Sequence, residues 1–374
     1  MENALKGVTV LEVGVLTPGK YCGFLLNGWG AKSIRIERPG QDGALSTEDL
    51  LLNRGKHSIA LNLRAPEGRD ILLRLCETAD VLIESYRPGV TARLGIDYEA
   101  ARAVNDSIVY CSLSGFGQDG PDKMKPAFDL LFQARSGLSH LLTADAPISP
   151  LTWLSDSVSG LMATTAISAA LRQREATGLG TYIDLAMQES LFSLLSVSHG
   201  MMKDGLPMTG ANAGNWARRP AYNIHQAGDG RYVALAAARP ASCEALFNHL
   251  GRPDLAPLGL KPGKEGKEAA AFLKARLLEK PAQDWVDELS ALDIEITRVN
   301  TPEENFEDPQ LRARGMVIDT VHPTAGELLQ IGIPATRGTN AAPAPSIGQD
   351  SEAILLALGF DAVRISDLRD DNVI

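Results

Sequence analysis

The alternation of short apolar strands with helices in the first third of the chain constrains the fold more than any other feature. A predicted strand at residues 8–13 is followed by a helix that ends near Trp29 and by a second strand at Lys32–Glu37. Strands that are joined through a crossover helix run parallel. The pattern continues with three further predicted strands, at 58–63, 81–84 and 107–113. It predicts an α/β fold with a doubly wound parallel sheet.

The rest of the chain predicts more helix and then a second, smaller α/β domain. Residues 128–202 are mostly helical by pattern, with one strand-like piece at 182–185. Residues 205–219 are rich in Gly, Asn and Pro, which indicates a linker or a mobile loop. A strand at 231–237, three helices and a strand near 296–300 then form the pattern of the smaller domain.

Charge and apolar content exclude several classes of function. The 374 residues include 36 Lys and Arg and 46 Asp and Glu, which gives a net charge of −10. This balance argues against binding to nucleic acid or to an anionic membrane, although a local basic cluster can still bind a small anion. No apolar run approaches the roughly 20 residues of a membrane-spanning helix. The first residues lack the apolar stretch of a signal peptide, so we expect a cytoplasmic protein.

Cysteine, histidine and glycine patterns indicate neither a metal site nor a standard dinucleotide site. The four cysteines are scattered without a CxxC spacing, and we expect them to be buried thiols. None of the six histidines has a ligand partner at helical spacing, so we expect no bound metal. Gly28 and Gly30 lie at a predicted helix end and lack the third glycine of the dinucleotide fingerprint.

Basic residues are frequent near the predicted strands of the first domain. Ligands of α/β sheets bind at the carboxyl ends of the strands, and guanidinium groups suit phosphates. For any one of these residues, pairing with a nearby surface carboxylate is the better interpretation. A set at successive strand ends fits a polyphosphate ligand and such pairing equally well. The set comprises Arg35, Arg38, Arg54, Lys56, Arg64, Arg87 and Arg93.

Two further features each leave two interpretations open. Residues 114–121 are dense in glycine directly after a strand, which suits close approach of the backbone to a ligand or a simple surface turn. Asp156 opens a long apolar helix. Its carboxylate fits the N-terminal cap of that helix, and a partly buried carboxylate at this place also fits a catalytic nucleophile.

Taken together, these segments resemble family III of the CoA-transferases, the group that also contains the α-methylacyl-CoA racemases. The resemblance runs nearly from end to end, and the order and spacing of its motifs make it specific. It rests on the Asp156 segment and on residues 26–40, 53–63, 79–89, 114–121, 128–137, 177–184, 308–315 and 348–350.

The resemblance implies a CoA-transferase in which Asp156 is the nucleophile. It implies an acyl-CoA and a carboxylate acceptor as substrates, with CoA as substrate and product and no metal. It also implies a discontinuous large domain, 1–203 and 320–374, a small domain, 204–319, and a homodimer of interlocked rings. The residues that would bind CoA are Arg38, near the adenine, and Ala60, Leu61, Asn62, Glu84, Arg87 and Arg93, along the nucleotide.

Departures from related patterns favour transfer over chemistry at the α-carbon. Racemases of this family pair a histidine with the aspartate that matches Asp129, but this chain has Phe128 there, and a phenyl ring cannot carry a proton. They also carry a glutamate in a stretch that here reads Ala238–Arg239–Pro240. Asp129 is then expected to order the site. The alternatives are a racemase, an intramolecular CoA isomerase or one subunit of a heteromeric transferase.

Aromatic residues near the site point to the size of the acyl group. Formyl-CoA transferases carry a Gln soon after the first strand, and no Gln occurs at residues 10–20. Formate and oxalate are therefore poor candidates. Phe116, Phe128, Trp153 and Phe192 are candidates for a larger apolar pocket, with core packing as the other interpretation, favoured for Phe192.

Overall fold

A computed structural model describes residues 3–40, 45–141, 152–196, 200, 219–336 and 342–374. The chain divides into two compact units. The first contains Met1–Ser136, Pro150–Ser193 and Asp308–Ile374, and the second contains Gly137–Ser149 and Leu194–Glu307. The domain limits inferred from the sequence, 203/204 and 319/320, stay a prediction. Nearly all of the glycine-rich linker at 205–219 lies outside the described residues.

A six-stranded parallel sheet forms the centre of the first unit, which confirms the predicted α/β class. The strands lie in the order β3-β2-β1-β4-β5-β6, so the winding direction reverses between β1 and β4. In open α/β sheets this reversal opens a crevice at the carboxyl edge. The strands are β1 (Thr9–Val13), β2 (Lys32–Glu37), β3 (His57–Ala60), β4 (Val81–Glu84), β5 (Val109–Ser114) and β6 (Thr181–Ala186).

Helices connect these strands and continue through both units. Proline at the first turn starts several of them, because its missing N–H has no partner there in any case. In chain order the helices are α1 (Thr17–Gly28), α2 (Thr47–Leu52), α3 (Pro66–Cys76), α4 (Val90–Leu94), α5 (Tyr98–Val104), α6 (Asp129–Arg135), α7 (Leu138–Leu141), α8 (Leu154–Thr177), α9 (Met187–Ser193), α10 (Pro240–His249), α11 (Ala256–Gly259), α12 (Lys267–Leu277), α13 (Ala282–Ser290), α14 (Pro309–Ala313), α15 (Ser351–Ala357) and α16 (Ala362–Asp370).

The core of the first unit joins the two ends of the chain. Apolar side chains of β1 to β5 and of α3 pack together, and Leu355 of α15 and Leu368 of α16 complete the cluster. The third strand is shorter than predicted, because Asn62 leaves the sheet and donates its N–H to the carbonyl of Val373 at 2.8 Å. The C-terminal segment is thus part of this unit.

The second unit contains an antiparallel sheet and its own core. Its strands are β7 (Tyr222–Gln226), β8 (Tyr232–Ala236) and β9 (Ile296–Arg298), in that order. Trp285, Phe247 and Leu273 are fully buried beneath them. The first unit also carries an antiparallel hairpin of β10 (Val317–His322) and β11 (Gly326–Ile331), which the sequence did not predict.

Two further expectations concern thiols and membranes. The cysteines Cys22, Cys76, Cys111 and Cys243 are free and buried, as expected from their scatter. In the described part of the chain, no helix combines the length and apolar character needed to cross a membrane.

Candidate active site

Two clefts lie near the carboxyl ends of the parallel strands. The larger cleft has a volume of about 430 Å³ and is bordered by residues that follow β2, β3 and β4, among them Arg38, Asn62, Arg64 and Arg93. The smaller cleft, of about 170 Å³, is bordered by residues that follow β1, β4 and β5. Tyr86 lines both. The two clefts therefore adjoin at this side chain.

The seven basic residues near the strands divide into two groups. Arg38, Arg64, Arg87 and Arg93 are exposed, and none of their guanidinium groups forms an ion pair with a described carboxylate. All four border a cleft. Each of them follows a strand, and the position after a strand is where ligands of such sheets bind.

The other three basic residues are buried and have structural roles, which differ from the pairing with surface carboxylates considered for them. Lys56 donates to Glu12 at 2.8 Å in a fully buried ion pair. Arg54 donates to the carbonyl of Ile331, and Arg35 pairs with Glu37. These residues lie within β2 or before β3, so the fold keeps them away from the carboxyl edge.

Asp156 lies in the first turn of α8, two residues after the helix begins at Leu154. It therefore does not cap the helix, which corrects the simpler of its two interpretations. Its carboxylate is half-buried and forms no hydrogen bond or ion pair with the described residues. Burial, with the nearby carboxylates of Asp129 and Glu48, raises the pKa of Asp156 to about 7.

Asp129 supplies the cap that α8 lacks in its own sequence. Its Oδ1 accepts the backbone N–H of Ser155 at 2.7 Å and that of Asp156 at 3.3 Å, and it also accepts the Ser155 hydroxyl. The other oxygen accepts from Gln133. An anionic acceptor at a helix N-terminus satisfies free N–H groups and suits the helix dipole. The expected ordering role of Asp129 agrees with this geometry.

Glu48 is a neighbour of the site that sequence reasoning missed. It accepts from the Thr17 hydroxyl at 3.2 Å and pairs with Lys20 at 3.0 Å. Lys20 also binds Asp49, so its ammonium group is shared between two carboxylates. Thr17 is thus occupied by Glu48 and does not cap α1. No local sequence pattern could have identified Glu48, because α2 and α1 are brought together only in the tertiary structure.

The predicted CoA-binding residues are brought together only in part. Arg38, Leu61, Asn62 and Arg93 line the larger cleft, and Arg87 lines the smaller one. Ala60 and Glu84 line neither cleft. Both are buried, and the Glu84 carboxylate is bonded to Ser112 and to the backbone of Tyr86.

Only two of the four aromatic residues proposed for an acyl pocket line a cleft. Phe116 and Phe128 line the smaller cleft, where Phe128 is 80% exposed. Trp153 and Phe192 do not line it, and Phe192 is 63% exposed, so the core position favoured for it is wrong. Its helix α9 is short and buries Leu191 instead.

Comparison with known proteins identifies the family of the chain. Residues 5–351 match the sequence profile of CoA-transferase family III. The α-methylacyl-CoA racemase of Homo sapiens is 32% identical over 99% of this chain and 97% of its own length. The succinyl-CoA:glutarate CoA-transferase of Homo sapiens is 28% identical over 99% and 90%.

Solved structures show the same fold. A CAIB/BAIF family protein from Brucella suis superimposes with a TM-score of 0.82 and 27% identity, over 96% of this chain and 100% of that one. The resemblance found in the sequence is thereby confirmed. The chain belongs to CoA-transferase family III.

Proposed function

We propose that this protein moves CoA from an acyl-CoA thioester to a carboxylic acid and that Asp156 is the nucleophile. The observation that carries the proposal is the Asp156 carboxylate, which is half-buried and has no partner among the described residues. Its pKa of about 7 makes the ionised form more basic than an ordinary aspartate. A more basic carboxylate is a stronger nucleophile, and a substantial fraction is ionised at neutral pH.

The reaction then proceeds through covalent states of Asp156. Its carboxylate attacks the thioester carbonyl, the C–S bond breaks, and a mixed anhydride and CoA thiolate form. The thiolate attacks the aspartyl carbonyl, which releases the donor acid and leaves an aspartyl-CoA thioester. The acceptor carboxylate attacks that thioester, and the thiolate returns to the new acyl carbonyl. Each step is an acyl transfer with a good leaving group.

The clefts supply positions for the two parts of the substrate. We place the nucleotide of CoA in the larger cleft, with Arg38 near the adenine and Arg93 along the phosphates, and with Arg87 at the adjoining smaller cleft. Leu61 and Asn62 line the larger cleft, whereas Ala60 and Glu84 are buried and line neither. We assign the acyl group to the smaller cleft, beside Phe116 and Phe128, although Asp156 itself does not line this cleft. Backbone N–H groups of residues 114–121, or of the start of α8, are placed to stabilise the oxyanion.

A racemase is the second candidate, because a racemase is among the relatives above 30% identity. Two features of the chain oppose it. Phe128 replaces the proton-carrying histidine, and the three residues Ala238, Arg239 and Pro240 contain no carboxylate. Asp129 is also engaged as the cap of α8. The lack of these proton-carrying groups also opposes an intramolecular CoA isomerase. The presence of Asp156 opposes a non-catalytic subunit of a heteromeric transferase.

A trapping experiment separates these functions. The protein is incubated with succinyl-CoA or acetyl-CoA and then with hydroxylamine or borohydride, and its peptides are analysed by mass spectrometry. A transferase gives a modified Asp156 peptide, and transfer to glutarate or malate is lost in Asp156→Ala. A racemase instead exchanges the α-hydrogen of 2-methylacyl-CoA with deuterium from solvent. Full transfer activity in Asp156→Ala would overturn the proposal.

We also propose a homodimer with interlocked chains, as the family resemblance implies, and a cytoplasmic location, in keeping with the four free thiols. Exposed apolar side chains support a covered surface in the first unit, including Leu161 and Met162 on α8 and Phe192 on α9. Such a patch on a monomer usually marks an interface. Sedimentation equilibrium tests this part, and a monomer at micromolar concentration would contradict it.

A further inference from the structure

Glu84 is the one predicted CoA-binding carboxylate, and the structure engages both of its oxygens inside the protein. The residue ends β4 and is 2% exposed. One oxygen accepts the hydroxyl of Ser112 on the neighbouring strand β5, and the other accepts the backbone N–H of Tyr86 at 2.8 Å. Because the side chain is buried, it lines neither cleft, and its bonds hold it within the protein.

Ser112 extends the link to the glycine-rich loop, defined as residues 115–121. The side-chain amide of Gln118 in that loop donates to the Ser112 hydroxyl oxygen at 2.6 Å. The backbone N–H of Gln118 donates to Asp184 on β6 at 3.0 Å. Glu84, Ser112 and Asp184 lie side by side because they are register partners across β4, β5 and β6.

The donor and acceptor roles in this chain of bonds are fixed by chemistry. The backbone N–H of Tyr86 and the side-chain amide nitrogen of Gln118 can only donate. Ser112 therefore accepts from Gln118 and gives its own hydrogen to Glu84, which accepts twice. A side chain with two acceptor atoms is needed at position 84.

The two segments tied to Glu84 form walls of the same cleft. One is the Tyr86 loop, defined as residues 85–89, of which Ser85, Tyr86 and Arg87 border the smaller cleft. The other is the glycine-rich loop, whose Gly115 and Phe116 also border it. The separation of the two loops sets the access of water to whatever this cleft holds.

We propose that Glu84 is a positioning residue, which acts through Ser112 and Gln118 to hold the Tyr86 loop and the glycine-rich loop together across the smaller cleft. Its consequence for catalysis rests on the proposed function. In the proposed function the acyl group enters that cleft, and the anhydride and thioester that carry it survive only where water is excluded. Loosening either loop should divert acyl groups from transfer to hydrolysis.

Hydrogen exchange resolved by peptide tests the positioning without any substrate. Ser112→Ala cuts the link to Gln118 and leaves the bond between Glu84 and Tyr86. We expect amide exchange in residues 115–121 to quicken about fivefold, the effect of losing one hydrogen bond, with little change in residues 85–89. Glu84→Leu should quicken both loops, whereas Glu84→Gln, which keeps only one acceptor atom, should give a smaller loss of protection than Glu84→Leu. Unchanged exchange of residues 115–121 in Ser112→Ala would overturn the proposal.

The ratio of thioester hydrolysis to CoA transfer tests whether the loops exclude water. The donor is succinyl-CoA and the acceptor is glutarate. Ser112→Ala should raise the ratio of hydrolysis to transfer about fivefold, while the KM for the thioester changes little. Glu84→Gln should restore the ratio towards the wild-type value relative to Glu84→Leu. The matched control is Ser33→Ala, because Ser33 is a buried serine of the same sheet that donates to the carbonyl of Gly23.

Two outcomes are decisive. A ratio that stays at the wild-type value in Ser112→Ala, with a loss of stability no larger than in Ser33→Ala, shows a structural role only and overturns the proposal. If the wild-type protein transfers CoA between no pair tested, the proposed function fails, and the exchange data still decide whether Glu84 positions the loops.

Discussion

Asp156 shows how a site residue can act against the stability of the fold. Its folded-state pKa is about 7, whereas an aspartate in an unfolded chain has a pKa of about 3.9. The folded state therefore binds the proton more tightly. The stability that this proton contributes is fully present below about pH 4 and is lost as the pH rises to about 7.

The first prediction follows from this sign. Asp156→Asn should abolish transfer and raise the free energy of unfolding at pH 8 by about 1–2 kcal/mol, a value reduced for the solvent exposure of the group. The gain should shrink at pH 5. Urea denaturation at both pH values measures it. Asp367→Asn, on the exposed surface of α16, is the control. An equal gain at both pH values would show that proton linkage is not the cause.

Glu48 provides a second prediction at the scale of one residue. Its negative charge contributes to the raised pKa of Asp156, so Glu48→Gln should lower that pKa. Transfer activity should rise with pH as Asp156 ionises, and the midpoint of this rise should lie at lower pH in the variant. The pH profile of kcat/KM for the acyl-CoA donor measures it, with Asp367→Asn as control. A midpoint that moves upward would contradict this reading of the electrostatics.

At the scale of elements, the close packing of α8 on α1 sets the place of Asp156. Gly160 lies one turn after Asp156, and a Cβ built on it would be 2.8 Å from the carbonyl oxygen of Pro18 and 2.9 Å from the ring of Tyr21. The backbone of α1 cannot yield easily at such a distance. The absence of a side chain at Gly160 therefore permits this approach.

Gly160→Ala is the third prediction. In an exposed helix, alanine is more stable than glycine by about 1 kcal/mol. Here the clash with α1 should outweigh that gain and lower the free energy of unfolding by about 1–3 kcal/mol. The start of α8 should also shift, so transfer activity should fall. Thermal and urea unfolding measure the first effect. Glu175→Ala, in an exposed ion pair of the same helix, should be nearly neutral. A stabilised Gly160→Ala would refute the close contact.

The sequence predicted the elements that carry a strong local pattern. The strands Lys32–Glu37 and Val81–Glu84 have the predicted limits, because apolar runs between turn residues define buried parallel strands. The strands β7, β10 and β11 were missed, because each buries only one side chain and its apolar pattern is therefore weak. The short helices α4 and α5 were missed for lack of a long periodic segment.

Local sequence predicted the site less completely than the fold. The arginines that follow strands could be separated from those before or within strands only once the strand ends were known, as Arg38 and Arg54 illustrate. The cap that Asp129 gives to α8 joins residues 26 positions apart and has no local signal. The burial of Glu84 depends on Ser112, which the register of β4 and β5 places beside it.

At the scale of the whole molecule, charge poses a question for a ligand as anionic as CoA. Residues 1–106 contain 13 Lys and Arg against 14 Asp and Glu, so this stretch carries −1 of the net −10. The protein as a whole repels an anion at long range. The exposed arginines of the larger cleft, Arg38, Arg64 and Arg93, attract it at short range.

The two effects respond differently to salt, which gives the last prediction. Guanidinium groups in contact with phosphates act within a few ångströms, where attraction exceeds the repulsion by distant charges. Salt at 0.1 M screens beyond about 10 Å. We expect CoA binding by the wild-type protein to weaken as NaCl rises, because salt ions compete with the direct pairing of guanidinium groups and phosphates.

The triple variant Arg38→Gln, Arg64→Gln, Arg93→Gln should reverse that dependence. With the local cations gone, the remaining electrostatic effect on CoA is repulsion by a more acidic protein, and salt screens repulsion as well. Its residual affinity should therefore rise or stay level with NaCl.

Calorimetric titration with CoA between about 0.05 and 0.5 M NaCl measures both slopes. Replacing three exposed lysines of the second unit, Lys261, Lys264 and Lys274, by Gln gives the same change in net charge and should leave the wild-type slope. If this control reverses the slope too, net charge alone governs binding, and the larger cleft is not where the phosphates lie.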